Sequence, residues 1–467
     1  MTFASHIARE RAAPLTQEDK KVLAATLVGT AIEWYDYFVY AQAASLVFAP
    51  FFFTPFVQRS PGLALILSFA TVGVAFLFRP LGAIVCGHLG DRFGRKVVLA
   101  MTLVLMGSAT TLIGVLPTHA QIGIWAPIIL VLLRVLQGFS AGGEWGGAAL
   151  LAVERASPDR RGLFGAFPQL GVPIGMIVAT GVLWSVTMIL GKERFLEWGW
   201  RVPFLLSIVL VAIGGSIRRS VEESPVFQRM HKRQRESAAP LGQLFRYHTK
   251  QVITTALTFV GNNAAGYLFV GYFIGYGQRV LHLPTDKLLL SCTAAACVWL
   301  VSTLVGGALA DRIGRVRTFQ VGYIALALWA IPMWLLVDSR DITLFFIAVA
   351  VLAIPLGLTY GPQAALYAEM FPTKVRYSGV SVGYALGSIL GGAFAATIAQ
   401  WIISATGHSW LVGLYIVAMS IISFVAVSLV KERVGVDLNA EEVSEGSGCG
   451  GEWDAVARLK SPVGYPV

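Results

Sequence analysis

A chain of 467 residues with a mean hydropathy of +0.68, 56% hydrophobic and only 13% charged, has too few polar side chains to coat a soluble globule, since ordinary soluble domains carry about 25% charged residues. The same composition excludes a disordered chain and a disulfide-rich secreted domain. The formal net charge of +10 then points to a polytopic membrane protein whose basic residues stay outside the lipid.

Residues 1–21 form a polar tail with Arg9, Arg11, Lys20 and Lys21, and no cleavable leader is predicted. Apolar runs follow at 22–48, 63–88, 97–117, 122–150, 163–189 and 202–217. They resume at 251–277, 288–309, 318–337, 343–368, 379–403 and 411–430. Each is long enough to span a bilayer core, although 202–217 is short. None alternates like a barrel strand. Pro80, Pro168, Pro173, Pro355 and Pro362 lie inside runs and mark expected kinks. The predicted fold is an all-α integral membrane protein of twelve transmembrane helices. Two six-helix bundles occupy 22–217 and 251–430, a basic linker covers 218–250, and a disordered tail covers 431–467. The linker reads as a solvated connection; an anionic-lipid contact is its other reading. Cys86, Cys292 and Cys297 sit in apolar runs without a CxxC pair, so they are expected as small core residues, and Cys449 lies in the tail.

Orientation follows from the basic residues. With the amino terminus inside, the inner segments hold 27 Lys and Arg and the outer loops hold 7, with Arg79 and Arg134 left inside helices. This asymmetry places both termini in the cytoplasm.

The two halves repeat. GHLGDRFGRKV at 87–97 recurs as GALADRIGRVR at 307–317, each between the second and third helix of its half. A second pair lies between the fourth and fifth helices: Glu154 precedes Arg161 by seven residues, and Glu369 precedes Arg376 by seven. Such a repeat suits a rocking transporter with its substrate near the midplane. Gly94 and Gly314 permit the tight reversal. Arg92, Arg95 and Lys96 hold the turn on the cytoplasmic side. Asp91 and its counterpart Asp311 are placed to pair with an Arg or to face a helix N-terminus. Arg312 and Arg315 repeat Arg92 and Arg95, and with Glu154, Arg161, Glu369 and Arg376 these residues form the expected cytoplasmic gate.

The loop Gly87-x-x-x-Asp91-Arg92-x-Gly94-Arg95-Lys96 resembles the signature of the major facilitator superfamily. The second copy departs at Val316, where a basic residue is usual, which predicts a weaker latch there. GTAIEWYDYFVY (29–40), RPLGAIVCGHLGDRFGRK (79–96), GFSAGGEWGGAALL (138–151), FPQLGVPIG (167–175), GWRVPF (199–204), EESPVF (222–227) and EMFPTKVRYSGVSVGY (369–384) are similar to the metabolite:proton symporter family. That family includes transporters of shikimate, citrate, 2-oxoglutarate and proline or glycine betaine. The resemblance covers residues 20–432 and is nearest to the shikimate-like branch.

Five ionisable groups lie inside predicted spans: Glu33, Asp36, Arg79, Arg134 and Glu144. Each costs roughly 2.5–3.5 kcal/mol or more at the bilayer centre, so each is a functional candidate. Asp36 on helix 1 and Arg134 on helix 4 differ by roughly 5 Å in depth, within side-chain reach if the helices touch. A buried carboxylate beside an Arg keeps its charge; with the Arg withdrawn it takes a proton. Several proton-coupled members of the resembled superfamily pair a helix-1 acid with a helix-4 Arg. Asp36 is therefore the expected proton carrier, Arg134 its partner and Glu33 the rival carrier. A purely structural ion pair is the alternative. Arg79 is expected to brace the cytoplasmic gate, with contact to an anionic substrate as its other reading. Glu144 is expected to bond a neighbouring helix.

Tyr37 and Tyr40 share the face of Glu33 and Asp36, and Gln137 lies one turn from Arg134. Asn262, Asn263 and Tyr267 mark helix 7, and Tyr360, Gln363 and Tyr367 recur at helical spacing on helix 10. The resemblance implies that helices 1, 4, 7 and 10 line the cavity; Gln169 on helix 5 joins this set.

Gly138-Phe139-Ser140-Ala141-Gly142 matches a nucleophile elbow, but it lies in an apolar helix with no His in the span. No Walker loop, HExxH motif or Cys/His cluster is present. Neither an enzyme, a cofactor nor a metal is expected. The positive charge is spread over seven cytoplasmic segments, which excludes a nucleic-acid groove. The reading is a monomeric transporter in a bacterial inner membrane that imports a small organic acid with protons. A zwitterionic osmolyte such as proline or betaine is the alternative cargo, and a non-transporting sensor the alternative class.

Overall fold

The structure, a computed structural model, describes residues 16–54, 61–219, 240–432 and Leu438. The start of the amino-terminal tail, most of the linker, and the final tail with Cys449 lie outside these residues. Among the described residues there is no strand. Among the described residues the long helices group into twelve rods: α1 (17–52), α2 (Pro61–Phe93), α3 (Arg95–Val115), α4 (Trp125–Val153), α5 (161–194), α6 (Arg201–Arg219), α7 (249–279), α8 (Thr285–Ile313), α9 (Arg315–Val337), α10 (342–370), α11 (376–406) and α12 (Trp410–Ser428), with short helices at His119–Ile122 and Pro240–Tyr247 outside them.

Nine of these are long and apolar enough to cross a membrane. The other three are α1, α6 and α7. Here α1 carries Glu33, Asp36 and a charged first turn, α6 is short, and α7 is interrupted by a π-helical turn at Leu268–Tyr272. The outward surface is apolar, with Ile189, Leu290, Leu328 and Trp401 exposed, as lipid contact requires. Cys86 and Cys292 are buried as expected. Cys297 departs from its expected core position: five residues beyond Cys292, it occupies another face of α8 and is exposed.

The packing repeats with an offset of six helices. In the first half α2 packs on α4, α1 on α5 and α3 on α6; in the second, α8 packs on α10, α7 on α11 and α9 on α12. The halves meet through α2 with α11 and α5 with α8, which are again equivalent pairs. Glycines sit at close contacts between these helices. A Cβ on Gly142 would fall 2.0 Å from the Arg79 carbonyl oxygen, and one on Gly361 would fall 2.3 Å from that of Thr303. Small residues let backbones approach this closely, and here they press α4 onto the stretch of α2 that carries Arg79. The repeated turns reverse at Gly94 (φ 105°) and Gly314 (φ 101°), a backbone region that side chains avoid. They mark one end of both bundles as the basic face.

Candidate functional site

Asp36 is fully buried on α1. Its carboxylate accepts hydrogen bonds from Ser207 on α6 at 2.6 Å and from Thr110 on α3 at 2.8 Å. The Thr110 hydroxyl in turn accepts from the Gln137 amide at 2.7 Å, and the Gln137 carbonyl accepts from the Arg134 guanidinium at 2.9 Å. The expected direct contact of Asp36 with Arg134 is therefore not made. The two charges are joined by a chain, Arg134–Gln137–Thr110–Asp36, that crosses from α4 through α3 to α1. Arg134 is otherwise held by aromatic faces. Its guanidinium carbon lies 3.9 Å from the Tyr40 ring centroid and 5.6 Å from that of Tyr37, a favourable setting for a desolvated cation. Its Nε and Nη2 are buried without a hydrogen-bond partner. The Tyr40 hydroxyl donates to Thr71 at 2.6 Å.

Glu33 lies one turn before Asp36 and is also buried. Both line a narrow void between α1, α3 and α4 together with Thr102, Ser140 and Glu144. Glu144, expected to bond a neighbouring helix, accepts from Thr102 on α3 at 2.6 Å. It stands seven residues beyond Gln137 on α4, nearer the basic face.

Arg79 departs from its expected place in the gate. It lies near the middle of the apolar stretch Ala70–Gly90, about 18 Å along the helix from the turn at Asp91. There it meets the second half of the chain: Nη1 donates to the Tyr267 hydroxyl on α7 at 3.3 Å. The Phe76 and Trp34 rings lie 4.5 and 6.0 Å from its guanidinium carbon. Tyr267 packs edge-on against Phe76 at 5.0 Å and Tyr37 at 6.1 Å.

Other cavity candidates divide by neighbourhood. Gln169 on α5 bridges the halves: it accepts from Trp145 at 2.6 Å, and its amide donates to Gln363 Oε1 at 2.8 Å and the Tyr360 carbonyl at 3.1 Å. Tyr360 stacks on Phe259 at 5.6 Å. Asn262 turns away from the interface, donating to Thr359 at 2.6 Å and the Leu356 carbonyl at 2.9 Å inside the second bundle. The Tyr367 hydroxyl donates to the Thr255 carbonyl at 2.6 Å. Asn263 is buried, with its amide nitrogen lacking a partner. Sequence reasoning missed Thr110, Ser207, Trp34, Phe76, Trp145 and Tyr384, whose ring stacks on Trp145 at 4.0 Å across the interface.

The basic face holds a second polar cluster. Asp311 accepts from the backbone N–H groups of Gly162 at 2.7 Å and Leu163 at 2.8 Å, so a carboxylate of one half caps the first turn of α5 in the other. The repeated Glu and Arg pairs cross over: Arg376 pairs with Glu154 at 3.3 Å, and Arg161 with Glu369 at 3.4 Å. Arg315 pairs with both Glu369 and Asp311 at 3.4 Å. The second copy of the loop, which carries Val316, is bonded through Asp311 and Arg315. Arg92 and Arg312 are exposed. The side chains of Asp91 and Arg95 lie outside the described residues.

Comparisons with known proteins bear on the family and the fold. A family model described as Major Facilitator Superfamily matches residues 26–396. The chain is 41% identical to the inner membrane metabolite transport protein YhjE of Escherichia coli (strain K12), covering 88% of this chain and 94% of that one. It is 36% identical to the shikimate transporter of the same organism, over 87% and 93% of the two chains. It is 33% identical to the proline/betaine transporter of Salmonella typhimurium, over 88% and 83%. Among solved structures it is similar to the proton:xylose symporter XylE bound to 6-bromo-6-deoxy-D-glucose, with a TM-score of 0.78 at 16% identity over 90% and 98% of the chains.

Proposed function

The chain belongs to the major facilitator superfamily and is a multi-pass inner-membrane metabolite transporter, not an enzyme; from that premise, we propose that it imports a small carboxylate metabolite together with protons, by alternating access. The basic face is cytoplasmic in this reading, both termini are inside, and the chain works as a monomer. The observation that carries the proposal is the buried chain from Arg134 to Asp36. A carboxylate held by two hydroxyls and linked to a cation through one amide can take up a proton when the chain is pulled apart, because burial alone favours its neutral form.

Charge arithmetic links an anionic cargo to the proton. Away from the basic face, five buried groups share the first bundle, Glu33, Asp36 and Glu144 against Arg79 and Arg134, three negative charges to two positive. A carboxylate entering alone would add a further negative charge, whereas one that enters with a proton leaves the sum unchanged. Proton and substrate then load as a neutral pair into a site where uncompensated charge costs several kcal/mol. Shikimate, proline and betaine, named for the relatives above, share one carboxylate and little else. An organic acid is the leading cargo; a zwitterion is the second reading, favoured by the Tyr and Trp faces around the site.

Proteoliposomes with an imposed inward proton gradient test this. Shikimate, proline and glycine betaine are offered separately. At least one carboxylate should accumulate about tenfold per unit of pH difference for one proton carried. Equal uptake with and without the gradient would remove proton coupling from the account.

A further inference from the structure

Both buried arginines make one hydrogen bond and leave donors unmet, Nε and Nη2 of Arg134 and Nε of Arg79. They differ in what they bond: Arg134 is tied into the chain to Asp36 within its own bundle, whereas Arg79 reaches across to the other bundle. Its residue is only 4% exposed. Its single hydrogen bond is the long one to Tyr267, and its Nε is buried without a partner. A guanidinium carries five N–H donors in a fixed fork, and leaving buried donors unmade is costly. The charged groups within electrostatic reach are Glu33 and Arg134, one of each sign. Rings surround it too: Phe76 on its own helix, Trp34 and Tyr37 on α1, Tyr267 on α7 and Tyr384 on α11.

We infer that Arg79 is the specificity-determining residue, whose fork takes the carboxylate of the substrate inside this aromatic box. A planar carboxylate matches the fork in bidentate fashion and supplies an acceptor for Nε, the donor left without a partner. The rings pack the carbon skeleton and keep water from the pair. The position also joins recognition to movement. The Arg79–Tyr267 bond ties the first bundle to the second, and an arriving carboxylate replaces the Tyr267 hydroxyl as the acceptor on Arg79. Substrate binding thereby releases one contact that holds α2 to α7. The inference rests on the carboxylate reading of the cargo given above.

The test uses the purified full chain and equilibrium binding of shikimate, proline and glycine betaine, each compared with its neutral or cationic methyl ester. Wild type should prefer the best-bound acid over its ester by about 10- to 100-fold. For shikimate, whose ester is neutral, Arg79→Gln should bring that ratio to about 1 by weakening the acid; the cationic esters should bind no worse than to wild type, because a neighbouring positive charge is gone. Arg79→Lys keeps the charge without the fork, so it should retain part of the preference. Ester binding by either variant shows that its site is folded. Equal weakening of acid and ester, with an unchanged ratio, would make Arg79 a structural brace and overturn the inference. Absence of acid binding by wild type itself would instead overturn the proposed cargo class.

Discussion

Replacing Asp36 by Asn should abolish accumulation driven by a pH gradient while leaving substrate exchange intact. Asn has the shape of Asp and can still bond Ser207 and Thr110, the two hydroxyls that hold the native side chain at 2.6 and 2.8 Å. What is lost is the titratable charge. For one proton per substrate, a difference of one pH unit supplies about 1.4 kcal/mol, a roughly tenfold gradient. Wild-type proteoliposomes should approach that ratio, and Asp36→Asn should stop at about 1. Counterflow, which needs the site and the rocking motion but no net proton transfer, should continue. Retained accumulation would move the carrier to Glu33, the other carboxylate on the same face of α1. Loss of counterflow as well would mean that the Asp36 network is structural.

The second large effect is expected at the basic face. Glu369 is the shared partner of Arg161 from the first half and Arg315 from the second. Glu369→Gln leaves both guanidinium groups buried with less compensation, and breaking a buried ion pair from one side costs about 3–5 kcal/mol. That cost falls only on the closed latch, because opening returns the arginines to water. The balance between open and closed forms should shift toward open by about 100-fold or more. Ala166 on α5 reads this out, since it is fully buried against Gly307 of α8 when the latch is closed. An Ala166→Cys probe, in a background without the four native cysteines, should react with a membrane-impermeant maleimide far faster when combined with Glu369→Gln. Glu154→Gln should act in the same direction but less strongly. Its partner Arg376 also donates to the carbonyls of Ala368, Phe371 and Leu438, which remain after the substitution. Equal labelling rates in all three backgrounds would show that these charges do not set the equilibrium.

The architecture was largely legible in the sequence because its signals are long and redundant. Lipid demands a long apolar run for every span, and the copies at Asp91 and Asp311 reveal the repeat without any side-chain geometry. The seven-residue spacing of Glu and Arg was visible too. Its crossing between halves was not, because the same spacing suits pairing within a loop or across the interface. The relay through Thr110 and Ser207 was hidden for a different reason. A hydroxyl in an apolar helix usually satisfies itself on its own backbone, and Thr110 does also lie 3.0 Å from the Met106 carbonyl. Sequence therefore gives no sign that such a residue reaches a neighbouring helix. The neighbours of Arg79 are likewise not legible in the sequence. The contact that locates it, with Tyr267, is 188 residues away along the chain.

A proton that rides on Asp36 must cross with the substrate, and that movement can be followed with a pH dye trapped inside proteoliposomes while external shikimate, proline or glycine betaine is added without an imposed pH gradient. The transported carboxylate should acidify the lumen in wild type. In Asp36→Asn vesicles preloaded with the same substrate, labelled substrate should enter by exchange, with no acidification. Uptake by wild type with a steady internal pH would contradict proton coupling.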